Sequence, residues 1–157
     1  MMTSKSIAQA RLRALIKQGG RVEESAVAAI FDQLPPVKPE SMIGEWQGGS
    51  FDTGHSSHEL LTKFNWAGKT FRSLDDVDPV VLFKDGERVP RKSVGGARIR
   101  EVKFRGVVSA AMVYDKLPII DSFRHVTDNM VLGAMDSKMD GEDGTYYFYL
   151  TKLKAKL

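Results

Sequence analysis

The C-terminal third of the chain most narrows its choice of fold. The segments Gly106–Tyr114, Pro118–Val126, Met130–Met135 and Thr145–Leu153 are apolar and follow one another closely. Only short polar connections separate them, among them Thr127-Asp128-Asn129 and Asp136–Gly144. Parallel neighbours need a crossover of about a dozen residues or more, whereas antiparallel strands join through tight turns. The spacing therefore predicts an antiparallel meander. Upstream, Arg98–Phe104 reads as a charged strand with one wet face. Val80–Phe83 reads as a compact apolar strand ahead of the hairpin signal Asp85-Gly86. Such a sheet must protect its edges, and closure into a barrel removes them.

The last strand also says what lies on either side. Alternation puts Tyr146 and Phe148 on one face and Tyr147 and Tyr149 on the other. A half-wet strand would not need aromatics on both. Two explanations stand: an apolar interior with helices covering the outside, or a homodimer interface.

Those helices are expected at the start of the chain. Ile7, Ala10, Ala14 and Leu15 fall near helical spacing, and Gly19-Gly20 stops the segment. This first helix has a weak apolar face, which leaves open a mobile element or a dimer contact. A second helix should run from about Glu23 to Gln33, with Val27, Ile30, Phe31 and Leu34 on one face and Pro35-Pro36 ending it. A third, short helix is suggested between Ser57 and Trp66 by Leu60, Leu61 and Phe64. The expected organisation is a helical segment over 1–36 and a barrel over 37–157.

Composition excludes several classes. The 157 residues include no cysteine, so disulfides and thiolate metal sites are ruled out. A chain of this length buries roughly 70% of its unfolded surface without such staples. Arg11, Arg13 and Lys17 interrupt every apolar cluster near the start, so no secretory signal is expected there. With no stretch long enough to span a bilayer, the expected location is cytoplasmic. The net charge of +3 is modest, but Glu87–Gly106 holds seven cations against Glu87 and Glu101. That run, from Arg88 to Arg105, reads first as a solvated hairpin face, and otherwise as a patch for an anionic membrane surface. Phe104 is its lone aromatic, which argues against a nucleic acid partner.

The stretch Gly44-Glu45-Trp46-Gln47-Gly48 opens the β-rich body. Its Gly-x-Trp pattern resembles the first strand of the calycins, the lipocalins and fatty-acid-binding proteins. In that fold the Trp packs across the barrel floor. With Thr53-Gly54-His55 and Trp66-Ala67-Gly68-Lys69-Thr70-Phe71, the stretch is similar to the GXWXG-motif proteins. Met112–Arg124, Gly133-Ala134-Met135-Asp136 and Tyr147-Phe148-Tyr149-Leu150 resemble the uncharacterised C-terminal domain that adjoins them. The resemblance spans about 42–153, with a GXWXG part near 42–84 and a meander part near 97–157. It implies a mainly β, calycin-like antiparallel barrel preceded by α-helices. It brings no assigned activity.

A binding module for a hydrophobic ligand, a fatty acid or phospholipid, is the function expected from this reading. Candidate ligand-binding residues are Trp46, His55, Trp66, Tyr114, Asp121, Phe123 and Arg124. Trp46 and Trp66 read as packing residues that also floor a cavity. His55 and His58 have the spacing of two metal ligands on one helical face, and a haem or metal site using His55 is an alternative. The bland reading is a helix N-terminal loop, and no metal or cofactor is expected. Asp121 and Arg124 differ by three, so a regular strand puts them on opposite faces, with Phe123 and His125 beside Asp121. A buried Arg124 would need an anionic partner, an aspartate or the ligand's head group. Tyr114 and Asp115 belong with Asp121 and Arg124 to a polar cluster among apolar strands, in which Asp115 reads as starting a turn that Pro118 rigidifies. No nucleophile elbow or phosphate loop is present, so no catalytic residue is assigned. A small-molecule enzyme using His55 and a structural dimer with a filled barrel remain the other classes.

Overall fold

The computed structural model describes residues 2–141 and 143–154. Helix α1 (Ser4–Gln18) starts where the Thr3 hydroxyl accepts from the Ser6 amide, and stops at Gly19 with φ 64°. Helix α2 (Glu24–Gln33) ends at Leu34, ahead of the proline pair. A 3-10 turn (Pro39–Met42) leads into β1 (Gly44–Ser50). Helix α3 (Ser56–Lys63) comes next; it ends sooner than expected, because Asn65 turns at φ 56° and Trp66 already belongs to a strand. The remaining strands are β2 (Trp66–Phe71), β3 (Val77–Lys84), β4 (Glu87–Pro90), β5 (Ala97–Phe104), β6 (Val107–Tyr114), β7 (Ile119–Thr127), β8 (Met130–Ser137) and β9 (Tyr146–Lys152).

Every strand pairing is antiparallel, and eight strands close on themselves in the order β1-β2-β3-β5-β6-β7-β8-β9, with β9 returning to β1. Strand β4 pairs only with β3 and stands outside the ring, joined to it by the Asp85-Gly86 turn. The closure is thinnest between β3 and β5, where Val77 faces Ala97 alone.

The two faces of the wall are both apolar, and each is covered differently. Inward, Trp46, Phe71, Phe123, Tyr146 and Phe148 share a cluster with Met42 and Met112. Phe123 meets Phe71 and Phe148 edge-on, at 6.2 and 6.0 Å between ring centres. Outward, Tyr147, Leu132 and Ala134 lie under Leu12 of α1 and Val27, Ile30 and Phe31 of α2. The N-terminal helices thus cover the second aromatic face of β9, so a partner chain is not required to do it.

Strands β6 and β7 pair only from Ala111–Val113 to Ile120–Ser122. Beyond that they part, and the segment after α2 fills the gap. The Ala110 amide donates to Val37 O at 2.9 Å, and the His125 amide donates to Pro35 O at 2.8 Å. The Val37 amide in turn donates to the Ser109 hydroxyl. Proline suits this position, since it offers carbonyls without needing to donate. Through this wedge the chain passes from the outer helices to the barrel's closed end. There Met42 is fully buried, and its carbonyl accepts from Trp46 Nε1 at 2.8 Å.

Two glycines of the quoted motifs are set by close approach. A Cβ on Gly48 would lie 2.6 Å from the Trp66 ring, which rests on that backbone. Gly68 has φ 140° and would put a Cβ 1.9 Å from the Trp46 carbonyl oxygen, a contact no side chain can make.

Candidate functional site

The end of the barrel opposite Met42 holds a cavity of about 130 Å³ beneath α3. Its walls are mostly apolar, with Leu60 and Leu61 from α3, Trp66, Ile119, Met135 and Phe148 prominent among them. Helix α3 has no buried residue, and Leu60 is 51% exposed. It lies over the cavity as a cover, held by Leu61 against the core and by His58 against Ser50.

Besides Arg91, two buried ionisable side chains lie in this mostly apolar wall. Lys69 on β2 and Asp121 on β7 point inward, with Nζ 3.0 Å from Oδ2 and both side chains almost fully buried. Nζ also donates to Pro79 O at 2.8 Å. Three rings surround it: Phe148 at 5.1 Å, and Trp66 and Tyr114 at 5.8 Å each. Asp121 Oδ1 is buried and has no hydrogen-bond partner among the described residues. Burial pulls the Lys69 amine below its usual value and pushes the Asp121 carboxyl above its own, while their mutual attraction opposes both. Tyr114 lines the same cavity, and its phenol is pushed well up by burial and then by the Asp121 charge. Tyr146 is raised by burial too, against the pull of its hydrogen bond to Ser50.

A polar chain leads outward from this end. Tyr146 OH and Ser50 Oγ are 2.5 Å apart, and Ser50 Oγ is 2.7 Å from His58 Nδ1. His55 is separate. It caps α3, its Nδ1 accepting from the Ser57 amide at 3.0 Å, which puts the proton of the neutral ring on Nε2. Nε2 lies 3.3 Å from Asp140 Oδ2 without hydrogen-bond alignment. The two imidazoles therefore have different partners. Among the described residues no three His, Cys, Asp or Glu side chains gather as a metal site would need.

The remaining candidates divide by face. Trp66, Tyr114 and Asp121 line the cavity. Trp46 and Phe123 are buried in the filled part of the interior. Arg124 corrects an expectation: it lies on the outer face, not in the cavity, because it is three residues from Asp121 on a regular strand. Its partner is no carboxylate either. Its Nη1 donates to Phe31 O and Leu34 O, both at 3.0 Å, and its guanidinium lies 4.5 Å over the Phe31 ring. The carbonyl end of α2 supplies the negative potential that a carboxylate would have brought.

The basic run is largely paired within the chain. Arg88 donates to the Ala67 and Trp46 carbonyls, and Arg91 stacks on Phe64 at 4.2 Å. Arg98, Arg100 and Arg105 pair with Asp115, Asp75 and Asp32. No helix among the described residues is long and apolar enough to cross a membrane.

Lys69 was absent from the sequence-based candidates, although a signal was there. Alternation in β2 puts it on the face of Ala67 and Phe71, both buried. A lysine flanked at i±2 by apolar residues on an inward face needs a buried counter-charge.

These features define a closed eight-stranded antiparallel barrel with a helical cover, plugged at one end and opening at the other onto a buried ion pair. Residues 29–86 match the GXWXG protein family, and residues 95–152 match a domain of unknown function, DUF4334. The chain belongs to this GXWXG–DUF4334 family. It is also similar to a protein from Thermomonospora curvata of known crystal structure, at 44% identity and TM-score 0.87. The match covers 94% of this chain and 99% of that one. No curated protein matches. The GXWXG block carries Lys69 and the DUF4334 block carries Asp121, so the ion pair joins the two.

Proposed function

We propose that the chain binds a compact, neutral, apolar molecule bearing one polar group, seated under α3 with that group against Lys69 and Asp121. The observation that carries this reading is Asp121 Oδ1, buried without a partner among the described residues in a mostly apolar cavity. An unsatisfied buried acceptor costs about 1–3 kcal/mol, more when charged. A ligand donor or a proton relieves that cost. Trp66 and Tyr114 are the side chains that would flank the ligand.

Size narrows the ligand. Pockets for drug-sized molecules span about 300–1,000 Å³, against about 130 Å³ here. An engineered apolar cavity of about 150 Å³ takes up benzene. A ring-sized molecule or short chain fits this scale, and a whole fatty acid or phospholipid exceeds it. Charge narrows it further, since a carboxylate would face the Asp121 carboxyl and an amine the Lys69 ammonium.

Saturation-transfer NMR with benzyl alcohol, benzoate and palmitate tests the reading. Benzyl alcohol should show transfer, and lose it in the Lys69→Met/Asp121→Leu variant. Transfer from palmitate alone, or from none of the three, would overturn it.

A further inference from the structure

We propose that Lys69 captures a compact aldehyde or ketone as an imine in the cavity beneath α3. This rests on the binding reading above and names the ligand class. Among the described residues Lys69 is the one lysine of the cavity wall, and its amine faces both an acid and an apolar space able to hold a ring. A lysine becomes a nucleophile once desolvation strips its proton at neutral pH. Burial acts in that direction here, and it raises the neighbouring carboxyl so that Asp121 can hold the proton instead.

The atoms balance without an oxidant or reductant. The neutral Nζ attacks the carbonyl carbon, the C=O π pair moves to oxygen, and that oxygen takes the Asp121 proton. The nitrogen, now cationic, returns a proton to the Asp121 carboxylate, leaving a neutral carbinolamine. Asp121 then protonates the hydroxyl, the nitrogen lone pair forms C=N, and water departs. The products are an iminium that keeps one N–H, a carboxylate and one water. The iminium inherits the position of the ammonium, 3.0 Å from Oδ2 and among three aromatic rings that favour a cation. A carbonyl ligand thus replaces one buried ion pair with another and needs no new charge in the barrel.

The test is reductive trapping on the full chain. Benzaldehyde and sodium cyanoborohydride are added near neutral pH, and the modified lysines are located by peptide mass mapping. The expected result is at least tenfold preference for Lys69 over every exposed lysine, suppressed by excess benzyl alcohol. Asp121→Asn keeps the lysine, and should slow trapping at Lys69 tenfold or more while exposed lysines react as before. Label spread over exposed lysines with Lys69 unmodified would overturn the proposal. If benzyl alcohol still shows saturation transfer in that case, capture fails and the binding reading stands. If it does not, both fall.

Discussion

Lys69 and Arg124 are two cations buried in the same barrel wall, one facing in and one facing out, each no more than 3% exposed. They meet the cost of burial in different ways. Arg124 is tied to a helix end that has carbonyls to spare, and an aromatic ring covers its face. Lys69 is tied to a carboxylate whose second oxygen has no partner among the described residues. The outward cation completes a structure. The inward one leaves an unmet valence in a space that can admit a molecule. Burial alone therefore does not tell the two cations apart; the satisfaction of the partner does.

The largest expected effect is from Lys69→Met, which strands Asp121. Removing one partner of a buried pair costs about 3–5 kcal/mol. The cost should depend on pH, with this sign. The folded-state value of Asp121 is raised above the usual 3.8, so the folded form holds the proton over a window where the unfolded form has lost it. Stability then falls as pH rises from 3.8 through the raised value. Urea denaturation of this variant should show a larger loss near pH 8 than near pH 4. A flat profile would place the cost in packing instead.

Arg124→Met should cost about 3 kcal/mol, because two buried carbonyls lose a charged donor. Its loss should be the same near pH 6 and pH 8, and benzyl alcohol transfer should persist. A weakened NMR signal in the folded variant would break the division between the two faces.

The double replacement Lys69→Met/Asp121→Leu sharpens it. Lys69 is lowered by burial, so its own contribution grows as pH rises through the lowered value toward 10.5; Asp121 runs the opposite way. Burial opposes the charged form of each group, and apolar replacement removes both penalties together. Stability should lie within about 1 kcal/mol of the parent, or above it. A loss as large as that of Arg124→Met would make the inward pair structural as well. Smallest is Tyr147→Phe, which removes the outer-face bond to Arg105. It should cost about 1 kcal/mol by thermal denaturation and leave ligand binding unchanged.

Much of the wall was legible in the chain. The alternation of Tyr146 to Tyr149 called for two covered faces, and the inner cluster and α2 supply them. The odd separation of Asp121 and Arg124 put them on opposite sides. Long-range charge pairing was not legible. Nothing local to Lys69 names Asp121, which lies on a strand that never pairs with β2. The same holds for Arg124, whose partners are backbone carbonyls of α2, invisible to any motif. His55 and His58 show the converse: their spacing suggested a common ion, but one caps a helix and the other turns to Ser50.

The proline wedge between β6 and β7 has a kinetic consequence. It binds residues near position 36 to strands some seventy to ninety positions later, as Val37 does with Ser109 and Phe31 with Arg124. Such distant pairings slow a chain's search for its native topology. The wall between β6 and β7 is complete only when an early segment has slotted between two late ones. Assembly of α2, β6 and β7 should therefore be a single, late and cooperative event, and the helices cannot peel away without unzipping the wall they protect.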